Sequence, residues 1–196
     1  MERNDIIIIH GKDYKNMAKK VLEQADVAGD IGSRDKKVAL KPNLVTAKAP
    51  SSGATTHSEL LAGVIEYLRE HGFQNITIME GSWVGDHTED AFQAAGYHQV
   101  CSRYGVPFVD LQRDTWKEYD AAGMKIKLCD KAAAVDYMIN MPVLKGHCQT
   151  TVTCALKNNK GVIPNSEKRR FHSLGLHKPI AHLNTIARND FILVDN

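Results

Sequence analysis

Short apolar runs rich in β-branched residues alternate with stretches of helical periodicity along almost the whole 196-residue chain. That alternation restricts the fold more than any other feature, because strand, helix, strand units close most simply into a parallel sheet covered by helices on both faces. Asp5–His10 reads as a first strand and Tyr14–Ala25 as the helix after it, with Met17, Val21, Leu22 and Ala25 at helical spacing. Val38–Pro42 is the next strand, ended by a proline that cannot donate to a ladder. Leu60, Leu61, Val64, Ile65 and Leu68 form one apolar stripe of a helix, with Thr56 and Glu59 spaced as a capping box and Gly72 as the stop. Strands are expected at Ile76–Met79, Pro107–Leu111, Lys125–Leu128, Val135–Asn140 and Phe191–Val194. Helices are expected over Asp86–Tyr104 with a break near Gly96, then over Ser166–Leu174 and Pro179–Arg188. The expected fold is a single α/β domain over residues 1–196, with a mostly parallel, Rossmann-like three-layer sandwich. Because the chain stops within two residues of a core strand, a C-terminal continuation is also expected.

Composition removes several classes. No apolar run approaches the ~20 residues that cross a bilayer, and the start has no signal-peptide core, so a cytoplasmic location is expected. Four cysteines, Cys101, Cys129, Cys148 and Cys154, contain no C-x-x-C pair and read as small buried thiols. An iron–sulfur cluster within this chain is therefore not expected. The formal net charge is only +2, but it is unevenly spread. Residues 141–189 hold eight lysines and arginines against the single acid Glu167, which leaves the remainder of the chain acidic.

In open α/β sheets ligands bind beyond the carboxyl ends of the strands. The residues there are Lys41-Pro42-Asn43, Glu80-Gly81-Ser82 and the segment after Asn140 that holds Lys145 and His147. A lysine at the end of a buried strand needs water, a carboxylate or an anionic ligand, so Lys41 is either a ligand contact or the partner of Glu80. Thr55, Thr56 and His57 enter a helix N-terminus, which is either a plain cap or part of an anion site. The segment 145–164 adds Thr150, Thr151, Lys157, Asn158 and Lys160, and is too polar to order without a ligand or a polar network of its own. It is not a Walker A loop, and no G-x-G-x-x-G follows a strand. A divalent metal is a secondary expectation, with His57, His147 and His172 as its candidates, although no H-E-x-x-H or H-x-H pattern occurs.

Taken in order, KPNLV (41–45), ATTHSELL (54–61), EGS (80–82), NMPVLKGHCQTTVTCALKNNKGVIP (140–164), FHSLGLHKPIAHL (171–183) and FILVDN (191–196) resemble the domain of unknown function 362 family over essentially the whole chain. The resemblance marks Lys41, Pro42, Asn43, Thr56, His57, Glu80, Gly81, Lys145, Gly146, His147, Thr151, Lys157, Asn158, Lys160, Gly161, His172 and Asp195 as its motif residues. Many members of that family carry a ferredoxin-like module with C-x-x-C-x-x-C repeats after this domain, which implies redox-linked metabolism. This chain lacks those cysteines, so cluster binding does not carry over to its residues.

Two functions follow as expectations. In the first, an anionic small molecule or cofactor is held at the carboxyl rim by Lys41, Asn43, Thr55, Thr56, Ser82, Thr150, Thr151, Lys157, Asn158 and Lys160, with His147, Glu80 and Lys145 as acid–base residues. In the second, the domain is a non-catalytic module whose basic C-terminal segment docks a ferredoxin-like electron-transfer partner or RNA. RNA is the less favoured partner, because Phe171 is the only Phe, Tyr or Trp in that segment. Either reading admits a homo-oligomer.

Overall fold

A computed structural model describes residues 5–196. Nine strands are present among them: β1 Val38–Pro42, β2 Ile76–Glu80, β3 Phe108–Asp110, β4 Trp116–Ala121, β5 Met124–Cys129, β6 Tyr137–Met141, β7 Lys145–His147, β8 Thr151–Thr153 and β9 Phe191–Ile192. The α-helices are α1 Tyr14–Gln24, α2 Val27–Ile31, α3 Ser58–Glu70, α4 Thr88–Ala94, α5 Tyr97–Tyr104, α6 Asp130–Ala133, α7 Ala155–Asn158, α8 Asn165–Ser173 and α9 His177–Leu183. Five strands form one sheet in the order β3-β2-β1-β6-β9, and every pairing in it is parallel. The chain thus starts at the centre, winds outward through β2 and β3, and then crosses to the other side of β1. That reversal is a topological switch point between β1 and β6, and in open α/β sheets ligands bind beyond the carboxyl ends of the strands at such a point.

The period of two along each strand divides the core. Val38, Leu40, Ile78 and Ile139 face one cluster, which α1 to α5 complete, while Ala39, Met79 and Met138 face a second, completed by β4, β5, α6, α8 and α9. β1 and β6 are buried at every position, as central strands of a doubly covered sheet must be. α1 and α3 cross in close contact, because a Cβ at Gly63 would lie 2.6 Å from the Lys15 carbonyl oxygen. No helix among the described residues is long and apolar enough to cross a membrane.

Several expectations need correction. Residues 5–10 are not a strand: Ile6 and Ile8 are 85% and 71% exposed and only Ile7 packs on the core, so the run is apolar without a strand to pair with. The expected strand around 125–128 is real but lies outside the main sheet, in an antiparallel hairpin with β4, an element whose mostly exposed side chains give little periodic signal. The 145–153 segment, expected as an irregular loop, folds into the β7–β8 hairpin. The expected helix over 179–188 covers His177–Leu183, and β9 is only two residues long. The Thr56–Glu59 capping box does not form. His57 is the N-cap of α3 without a side-chain cap, while Thr56 turns its hydroxyl to the neighbouring strand exit.

Candidate functional site

At the switch point, beyond the carboxyl end of β1, Lys41 is fully buried and its ammonium is paired with the Glu80 carboxylate. Burial pushes the Lys41 ammonium down and the Glu80 carboxyl up, and the mutual attraction of the pair opposes both shifts. The other Glu80 oxygen accepts from the Gly81 N–H at 3.0 Å. Lys168 is also buried, and it donates to the Gly81 and Ser82 carbonyls at 2.9 and 2.8 Å. Gly161 closes the pair off, since a Cβ there would collide with the Glu80 carboxyl group. Lys41 and Glu80 therefore meet each other rather than solvent, and Lys41 is not an open ligand contact.

The residues around this pair are tied into the fold. Thr56 Oγ1 accepts from the Asn43 N–H at 2.9 Å and donates to the Met141 carbonyl at 2.8 Å, which links the exits of β1 and β6. Asn43 Oδ1 accepts from the Val45 N–H, Thr55 donates to the Lys48 carbonyl, and Ser82 donates to the Leu44 carbonyl. Asn158 donates to the Lys41 carbonyl and, at 2.7 Å, to Asn140 Oδ1. Asn140 in turn donates to Asn189 Oδ1 at 2.6 Å, and Asn159 donates to Asn184. This asparagine network orders the polar 155–164 stretch. Its partners Asn184 and Asn189 are separated from it by α8 and α9, so no local pattern could announce them. Of the expected ligand contacts, Asn43, Thr55, Thr56, Ser82 and Asn158 are buried and hydrogen-bonded within the fold.

A second group of predicted residues converges at the rim. In the β7–β8 hairpin Lys145 pairs with Thr153, Gly146 with Val152 and His147 with Thr151. Alternation and cross-strand pairing place Lys145 and Thr153 on one face, and Gly146 and Val152 on the other. The second face is open to solvent, while Thr153 is 3% exposed. Lys145 also donates to the Ala54 carbonyl. His147 Nδ1 accepts from the Gln149 and Thr150 N–H groups at 3.1 and 3.2 Å, so the proton of the neutral ring sits on Nε2. Thr151, at φ 62°, lies in the left-handed region that few non-glycine residues occupy, and it closes the turn behind this contact. The Thr150 hydroxyl donates within the same turn, to the Val152 carbonyl.

Lys160 Nζ lies 3.0 Å from His172 Nε2, and His172 Nδ1 lies 3.0 Å from Gln149 Oε1. An ammonium can only donate, so His172 accepts at Nε2 and carries its proton on Nδ1. Burial is the main cause that pushes Lys145 and Lys160 down to about 8, with Lys157 contributing to both. His147 is lowered by burial and then by Lys157, Lys160, His172 and Lys145, and His172 by burial, Lys160 and Lys157. Lys145, Lys157, Lys160, His147 and His172 thus act on one another, and the carboxylate that acts on Lys145 is the already paired Glu80.

His57 stands apart from His147 and His172. Its backbone N–H and Nδ1 both meet Asp195 Oδ2, at 2.8 and 2.9 Å, and its ring stacks on Tyr14 with centroids 4.2 Å apart. Among the described residues no three His, Cys, Asp or Glu side chains are arranged to hold a metal ion. The cysteines are free, and only Cys129 is buried; Cys148 is exposed on the hairpin turn, contrary to the expectation of buried thiols. The basic C-terminal segment does not form one exposed stripe. Lys168 is buried, Arg170 is paired with Glu167, and Arg188 lies 3.0 Å from Asp190.

These features define a Rossmann-like parallel α/β domain with a lysine- and histidine-lined rim at its switch point. The chain belongs to the family described as Domain of unknown function (DUF362), whose model matches residues 38–196. It is also similar to a thylakoid-associated protein of Synechocystis sp., with 27% identity over 152 residues, which is 78% of this chain and 47% of that protein. The chain spans about half the length of this curated relative.

Proposed function

We propose that the domain binds an anionic small molecule or cofactor at the carboxyl-end rim, between the β7–β8 hairpin and the lysines of the 155–162 stretch. The observation that carries this reading is the gathering of Lys145, Lys157, Lys160, His147 and His172 without a free carboxylate among them. Like charges brought together and partly desolvated raise the free energy of the unliganded protein, and an anion relieves that repulsion. Lys41, Glu80 and Lys168 form the rigid floor beneath the ligand.

The ferredoxin-like modules that the family resemblance implies extend the reading to redox-linked metabolism. Four free thiols fit a reducing, cytoplasmic setting. Docking of RNA or an electron-transfer protein through the basic segment is supported less, because Lys168, Arg170 and Arg188 are already engaged.

The test is a thermal-shift series at low salt with phosphates, carboxylates and anionic cofactors. At a ligand concentration of about 100 Kd, binding adds about 2.7 kcal/mol of stability to the wild-type chain. Lys157→Gln and Lys145→Gln are expected to abolish most of that shift while the unliganded chains still fold. A wild-type midpoint that no anion in the series moves would overturn the reading.

A further inference from the structure

Thr153 Oγ1 is the one buried side-chain polar atom without a hydrogen-bond partner among the described residues. Buried hydroxyls are normally paired, and an orphan marks a place where a partner is missing. Thr153 occupies the inner face of the hairpin, directly across the ladder from Lys145. The local backbone is built to hold this face: Thr151 takes up its unfavourable conformation there, and two N–H groups fix the His147 ring. His147 is left with Nε2–H as a donor that no hydrogen bond above consumes.

We infer that the anion is a phosphate group, gripped by the Lys145, Lys157 and Lys160 ammonium groups and hydrogen-bonded by the Thr153 hydroxyl and His147 Nε2–H. This rests on the anion-binding reading and narrows it to one chemical class. Charge is the first reason. Lys157 lies close enough to repel both Lys145 and Lys160, and a phosphate carries about two negative charges at neutral pH where a carboxylate carries one. Geometry is the second. The donors come from the hairpin on one side and from the 155–162 stretch on the other, and a tetrahedral group can accept from both, whereas a carboxylate accepts only near its plane. Neutral donors such as a hydroxyl and a fixed imidazole N–H add direction to what lysines supply as point charge.

Calorimetric titration of the 196-residue chain at low salt with inorganic phosphate and with acetate tests the assignment. Wild type is expected to bind phosphate at least about tenfold more tightly than acetate, and Thr153→Val to weaken phosphate about five- to tenfold while leaving acetate unchanged. Because valine matches the shape of threonine and removes an unpaired hydroxyl, the same variant is expected to melt no lower than wild type. A Thr153→Val chain that melts markedly lower would show that the hydroxyl already has a partner within the protein, and would overturn the assignment. Equal binding of acetate and phosphate, or unchanged phosphate affinity in Thr153→Val, would overturn the phosphate assignment and leave anion binding standing. Failure of both anions to bind would remove both.

Discussion

Lys41 shows how burial decides what a charged side chain does. At the end of a central strand its ammonium had two outlets, a ligand or Glu80, and the register that sets Lys41 beside the exits of β2 and β6 delivers it to Glu80. Neither charge reaches water, so removing one partner leaves the other buried and unpaired. Lys41→Met and Glu80→Leu are each expected to cost about 3–5 kcal/mol, and the double replacement much less than their sum, in a denaturant-unfolding cycle. Gly161→Ala probes the same pair through shape alone. Its methyl group collides with the Glu80 carboxyl group, and a loss of about 2 kcal/mol or more is expected in the same assay. The composition of the strand end makes Lys41 legible as a candidate. Only the covering glycine and the partner from another strand settle its role.

At the scale of elements, α3 is the clearest helix in the sequence, yet its N-terminus is held differently from the capping pattern written there. The stripe of Leu60, Leu61, Val64, Ile65 and Leu68 lies buried in the core, as its spacing predicts. The cap comes from outside: Asp195, 138 residues further along, accepts from the His57 N–H and holds the His57 ring. Asp195→Ala is therefore expected to destabilise the fold by about 1–2 kcal/mol, with faster amide exchange in the first turn of α3 than in its last. Asp195 itself is placed by the segment after β9, where its backbone bridges Val143 and accepts from the Leu144 N–H. The helix start thus depends on the strand that ends the sheet. Thr56, freed from capping, instead fastens the exits of β1 and β6 at the switch point.

For the whole molecule, a net charge of +2 conceals a concentration of buried and half-buried lysines at one rim. Lys145, Lys160 and Lys168 are all held near 8, with burial the first cause, whereas an unfolded lysine titrates at its ordinary value near 10.5. Above about pH 8 the unfolded chain therefore binds more protons than the folded one, and stability rises with pH. The thiols of Cys101 and Cys129, pushed by burial to about 11 and about 12, oppose this once unfolded thiols ionise. The unliganded melting temperature is expected to rise from about pH 7 to about pH 9, with a shallower rise in Lys145→Gln and Lys160→Gln. Phosphate affinity is expected to move the opposite way, falling over the same range as these ammonium groups lose their protons. A calorimetric pH series checks both.

Periodicity is a property of neighbouring residues, which is why the parallel α/β class, the doubly buried strands β1 and β6, and the gathering of polar residues after them are readable from the chain alone. Where a group ends up through space is not such a property. The run at residues 5–10 has the composition of a strand but no strand beside it, and β4 has a partner but little pattern. Lys41 and Lys157 are both lysines in polar segments, yet one is sealed beneath Gly161 and the other acts on Lys145 and Lys160 at the rim. Thr153 and Thr56 are both buried threonines, yet the Thr56 hydroxyl is doubly hydrogen-bonded and the Thr153 hydroxyl has no partner among the described residues. Those distinctions depend on desolvation and on partners tens of residues away, so they arise only when the sheet brings its strand exits together.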